Sequence, residues 1–70
     1  MSWIATPDSS TIAGFDYVME RQVLIVEFVN GGRYNYYDVP EVVFERMKAA
    51  PSKGQFLAQN VKGVYRYARV

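Results

Sequence analysis

One hairpin constrains this chain more than any other feature. Val23-Leu24-Ile25-Val26-Glu27-Phe28-Val29 carries four β-branched side chains and one aromatic. Such residues pack well on a pleated sheet and lose rotamer freedom in a helix. Asn30-Gly31-Gly32 follows, and these types supply the positive φ angles of a tight reversal. Arg33-Tyr34-Asn35-Tyr36-Tyr37 then runs back antiparallel. Period-two spacing puts Leu24, Val26 and Phe28 on one face, and Val23, Ile25 and Val29 on the other beside Glu27. Both faces are largely apolar, so this strand is expected at the centre of a sheet. Tyr34 and Tyr36 pair with the Leu24/Val26/Phe28 face and read as core. Arg33, Asn35 and Tyr37 face the other way.

The flanking segments extend this unit. Asp8-Ser9-Ser10 reads as a turn before a short, imperfect strand over residues 11–17. Gly14 inside it marks a bulge or a close backbone approach. Met19-Glu20-Arg21-Gln22 is a polar connector. After the hairpin, Pro40 suits the first helical position and Glu41 the positive end of the helix dipole. Val43, Phe44, Met47 and Ala50 recur with helical period, and Pro51 ends the helix. Ser52-Lys53-Gly54-Gln55 has the form of a capping box, in which Ser52 accepts from the third helical N–H. A second, shorter helix is expected to about Lys62, burying Phe56, Leu57, and Asn60 or Val61, with Gly63 as its stop. Residues 64–70 alternate again. The expected fold is α+β: an antiparallel three-stranded β-meander, then two short helices, then a C-terminal extended segment or edge strand. Residues 1–8 read as an N-terminal extension and 9–70 as a single domain.

Composition narrows the chemistry. A chain of 70 residues buries only about 60% of its unfolded surface. With no cysteine to staple it, self-association into a dimer or higher oligomer is an expected remedy. The absence of histidine as well excludes a Cys/His zinc site and leaves catalysis to carboxylates or lysines. No spacing pairs a nucleophile with a base, so the chain is read as non-enzymatic, without catalytic residues, metal or cofactor. No run approaches the ~18 apolar residues of a membrane span, and Trp3-Ile4-Ala5, ended by Pro7-Asp8, is too short for a signal peptide. A cytoplasmic protein of a bacterium or its phage is the expectation, with no membrane partner.

The net charge of +1 hides an asymmetry. All seven acidic residues lie at or before Glu45, whereas Arg46, Lys48, Lys53, Lys62, Arg66 and Arg69 follow with no acid among them. Such a division points to an anionic partner. Two candidate ligand sites emerge. Tyr37, Tyr65 and Tyr67 offer stacking faces, with Arg33, Lys62, Arg66 and Arg69 to hold phosphates. Ser52-Lys53-Gly54 opens a helix, where free N–H groups, the dipole and a lysine favour an anion. It is not a P-loop, because the glycine spacing is absent.

The order of short motifs resembles the KTSC domain, a family named for its place at the carboxyl end of some lysyl-tRNA synthetases and also found as small free-standing proteins of bacteria and phages. The resemblance is carried by Ser9-Ser10-x-Ile12, Gly14-Phe15-Asp16, Leu24-x-Val26-x-Phe28, Gly32-x-Tyr34-x-Tyr36, Val39-Pro40, Ala50-Pro51-Ser52-Lys53-Gly54 and Val61-Lys62-Gly63-x-Tyr65-x-Tyr67. The chain departs from it at Phe15, where the family usually has tyrosine, and at Phe56-Leu57-Ala58, where it often has Tyr-Phe-Asn. The resemblance implies RNA as a ligand class. Two functions are therefore expected to compete. One is a non-catalytic module for phosphate-bearing ligands, either RNA or a small nucleotide such as a cyclic oligonucleotide signal that it sequesters. The other is a protein-interaction or homo-oligomerisation module without a nucleotide, using Trp3 and the Val23/Ile25/Val29 face.

Overall fold

The reversal at Asn30-Gly31-Gly32 forms as its residue types require. Gly31 adopts φ 96°, and the Asn30 side chain accepts from the Gly32 N–H at 3.0 Å. The turn joins two of five strands in a computed structural model that describes residues 3–70. The elements run β1 (Ile4–Ala5), β2 (Ile12–Val18), β3 (Val23–Phe28), β4 (Arg33–Tyr36), α1 (Glu41–Ala49), α2 (Lys53–Asn60) and β5 (Tyr67–Arg69). The strands make one antiparallel sheet in the order of the chain. The meander is its centre, β3 is its middle strand, and the C-terminal segment is an edge strand against β4. Strands precede helices, with β5 returning to the sheet, which is the α+β arrangement.

The first strand is the addition to the sequence-based picture. Two residues cannot show a period, so β1 exists only by its pairing of Ile4 with Phe15 and Ala5 with Gly14. Gly14 meets both meanings of a strand glycine. The β2–β3 register shifts between Ile12 and Gly14, and the Trp3 indole lies directly over Gly14. A Cβ there would stand 2.5 Å from Trp3 Nε1, so no other residue leaves room for the ring.

The core gathers on one face of the sheet. Ile12, Phe15 and Tyr17 of β2, Leu24, Val26 and Phe28 of β3, and Tyr36 of β4 pack with Val39, Met47, Leu57 and Val61. Each fully buried side chain of this size contributes roughly 1.5–3 kcal/mol. Each helix fully buries a single side chain, Met47 in α1 and Leu57 in α2. Half-buried Val43, Phe44 and Phe56 supply the rest, with Phe44 stacked on Tyr17 at 4.9 Å. The helices are thus lightly anchored and short, and they do not reach across the whole inner face.

Their ends follow the local chemistry. Pro40 is the residue just before α1 rather than its first residue, with φ −64° and ψ 151°. Ser52 caps α2, accepting from Gln55 N–H at 3.2 Å. Helix α2 closes at Asn60, two residues before the expected end, because Val61 turns inward to full burial and leaves helical geometry. The opposite face of the sheet, with Val18, Val23, Ile25 and Asn35, carries no helix.

Candidate functional site

Where the helices stop short, the inner face of the sheet opens into a cleft of about 470 Å³ lined by Phe28, Asn30, Tyr34, Tyr36, Lys62, Gly63 and Tyr67. Strand alternation supplies its walls. Tyr34 and Tyr36 project inward from β4, and their register partners Arg69 and Tyr67 project the same way from edge strand β5. Tyr67 lies 5.7 Å from Tyr34 and 5.8 Å from Tyr36, tilted by 51° and 41°. Phe28 meets Tyr34 edge-on at 5.4 Å. The turn after α2 brings Lys62 Nζ to 5.3 Å from the Phe28 ring, and Arg69 Cζ sits 6.0 Å from the Tyr34 ring. Four aromatic rings and two cations therefore frame one opening. Tyr67 is its open wall, 58% exposed, while Tyr36 is its floor at 2%.

The two buried tyrosines differ in an informative way. Tyr17 donates its hydroxyl to the Val39 carbonyl at 2.5 Å. The Tyr36 hydroxyl has no hydrogen-bond partner among the described residues, yet no buried polar side-chain atom is left unpaired. The hydroxyl therefore keeps contact with the cleft. Burial, with Tyr34 and Tyr67 close by, pushes the Tyr36 phenol above its usual pKa, so it stays protonated at neutral pH.

Of the sequence-predicted residues, Lys62 and Tyr67 line the cleft and Arg69 lies beside it over Tyr34, while the others fall elsewhere. Arg66 and Tyr37 lie on the opposite face, in a groove of about 530 Å³ with Arg21 and Asp38. There Arg66 stacks 5.2 Å from the Tyr37 ring and its guanidinium is 3.8 Å from the Asp38 carboxylate. Arg33 bonds Glu27 at 2.6 Å and covers the Trp3 ring at 5.1 Å. Tyr65 is half-buried against the core. Ser52, Lys53 and Gly54 line a third hollow with the loop of residues 5–11. The Lys53 amine there donates to the carbonyls of Lys48 at 3.0 Å and Ala50 at 2.6 Å, satisfying the end of α1 rather than facing out. The basic C-terminal half is thus dispersed: Lys62 lines the cleft with Arg69 beside it, Arg66 lies in the opposite groove, Lys53 at the end of α1, and Arg46 and Lys48 on α1 itself.

Sequence reasoning assigned Tyr34 and Tyr36 to the core alone and passed over Phe28 and Asn30. The tyrosines do pack in or against the core, but an inner-face side chain next to an edge strand is also a wall wherever no helix covers it. The two family departures lie away from the cleft: Phe15 is fully buried and Ala58 is exposed on α2. The described residues hold no group of three carboxylates placed to bind a metal. None of their helices is long and apolar enough to cross a membrane.

Comparison with known proteins agrees with the fold. A family model for the KTSC domain matches residues 8–70. The chain is 38% identical over 64 residues to a lysine–tRNA ligase of Nostoc punctiforme, spanning 91% of this chain and 11% of that protein's length. It is 39% identical over 59 residues to a small protein of Tsukamurella paurometabola, covering 84% of this chain and 88% of the relative. The crystal structure of a KTSC domain protein from Yersinia pestis superposes with a TM-score of 0.93 at 28% identity, over 99% of this chain and 96% of the other. From motif order, fold and sequence likeness together, the chain belongs to the KTSC domain family.

Proposed function

We propose that the domain is a non-catalytic, cytoplasmic binding module for single-stranded RNA, and that the cleft between α2 and β5 takes a base with its phosphate. The observation that carries this reading is the union of an exposed tyrosine wall with two cations at one opening. A ring such as Tyr67 stacks any base. Lys62 and Arg69 stand where a backbone phosphate would leave the cleft, and a charge-assisted bond to phosphate is the stronger kind. A chain of tyrosine, lysine and arginine without histidine or cysteine suits binding better than bond-making. The matched ligases are named for an RNA substrate, which supports RNA over other phosphate carriers.

The test is fluorescence anisotropy of a labelled single-stranded RNA over a salt series. Two phosphates held by Lys62 and Arg69 give a log–log salt slope of about −1.4, so affinity falls roughly sevenfold from 50 to 200 mM salt. Charge reversal of both residues should flatten the slope and abolish binding. Equal affinity for the reversed variant and the parent would end the proposal.

The size of the cleft, about 470 Å³, falls within the usual range for a small-molecule pocket and favours a second reading. In it the ligand is a free small nucleotide that the protein sequesters. Affinity that does not rise with oligonucleotide length would select that reading. The alternative of self-association through the uncovered sheet face rests on Trp3, 44% exposed, and half-buried Ile25. Light scattering across concentration decides it.

A further inference from the structure

We infer that the Tyr36 hydroxyl makes the cleft selective among bases, acting as the hydrogen-bonding group that reads the edge of a base stacked on Tyr67. This rests on the RNA-binding reading and goes beyond it, because stacking and phosphate contacts by themselves tolerate any base.

The position of Tyr36 carries the inference. It is 2% exposed and lines the cleft, and what little surface it keeps includes a hydroxyl without a hydrogen-bond partner among the described residues. No buried polar side-chain atom is left unpaired, so this hydroxyl reaches the cleft, where a ligand group can replace water as its partner. Tyr17, packed in the same core, shows the ordinary solution, a hydroxyl spent on a backbone carbonyl. The other polar side chain of the cleft, Asn30, already holds its carbonyl oxygen on the Gly32 N–H. Tyr34 and Tyr67 also lack hydroxyl partners among the described residues, but their rings are more exposed and less firmly placed. Among the described residues of the cleft, Tyr36 thus combines an almost fully buried ring, which fixes its position, with a hydroxyl left free for a ligand. A hydrogen bond made out of water discriminates because the wrong partner leaves it unmade.

The Tyr67 ring lies 5.8 Å from that of Tyr36, so in this proposal a base stacked on Tyr67 turns one edge toward the floor. The protonated phenol then donates to a ring nitrogen or carbonyl oxygen on that edge. Lys62 and Arg69 stay on the phosphate side and contribute affinity without selectivity.

The test uses Tyr36→Phe in the full chain, with Tyr17→Phe as control. Affinities are measured for a matched set of short RNAs that differ in one base. For the parent we expect a preference of about fivefold to tenfold for one base, the worth of a single hydrogen bond. Tyr36→Phe should level that preference, with the melting temperature unchanged or raised. Tyr17→Phe should lower the melting temperature and keep the preference. Tyr36→Phe with the parent's preference intact overturns the inference and leaves RNA binding standing. A parent that binds every base equally also overturns it. A parent that binds no RNA overturns the underlying reading as well.

Discussion

Replacing Tyr67 by alanine separates binding from folding more cleanly than any other change at the cleft. Tyr67 sits on edge strand β5 and is 58% exposed. Its contribution to the fold is two tilted ring contacts, at 5.7 and 5.8 Å. Aromatic pairs are worth ~0.5–1.5 kcal/mol each when buried. With most of this residue in solvent, the loss should be about 1 kcal/mol, a fall of ~4–8 °C in Tm for a domain of this size. The loss in binding is larger. Stacking contributes ~1–3 kcal/mol per base, so RNA affinity should fall roughly 5- to 150-fold. Anisotropy at fixed salt reads the affinity, and a thermal melt confirms the fold. Tyr67→Phe keeps the stacking ring and should keep most of the affinity. Unchanged RNA affinity in a folded Tyr67→Ala protein would refute the stacking role of this wall.

Three further predictions address the frame around the cleft. Burial raises the Tyr17 and Tyr36 phenols above 10.0 in the folded state, Tyr17 with a further push from Glu41. The folded state then holds its protons more tightly than the unfolded one, so Tm should be level below about pH 10 and drop above it, less steeply in Tyr36→Phe. An equal drop in parent and variant would contradict this. Lys53→Ala removes the amine that donates to two carbonyls at the end of α1 and should cost about 1 kcal/mol on thermal melting, with RNA affinity at the cleft unaltered. A binding defect without loss of stability would instead give Lys53 a ligand. Gly14→Ala forces the indole off the sheet, since the new Cβ would lie within 2.8 Å of three Trp3 atoms. Trp3 emission should shift, and an identical spectrum would refute the packing.

The parts of the fold legible in the sequence are those whose signal lies within one segment. The hairpin over residues 23–37 shows strand period, turn residues and strand again. Helix α1 shows its stripe at Val43, Phe44 and Met47, and Ser52 announces α2. Gly14 was legible as an anomaly, though not as a seat for Trp3, because the ring comes from β1. That strand is two residues long and is specified only by what it pairs with. The cleft was legible in kind but not in place. Tyr67, Lys62 and Arg69 were named as ligand candidates, but Tyr34 and Tyr36 read as core and Phe28 as an inner-face residue, because the walls come from β3, β4, β5 and the turn after α2. Which cations meet which rings depends on the register of β5. Arg66, just before β5 and still paired to Tyr37 through its carbonyl, is three residues from Arg69, and that odd spacing along extended chain sends them to opposite faces. Lys53 reads as a free cation until the carbonyls at the end of α1 are placed beside it.

The most direct test of the central claim is a two-dimensional amide NMR titration of the isotope-labelled protein with a short single-stranded RNA. The expected result is a set of saturable shifts confined to residues 28–36 and 62–69, the two segments that wall the cleft. Shifts confined to the opposite groove around Val18, Arg21, Tyr37 and Asp38, or no shifts at all, would contradict it.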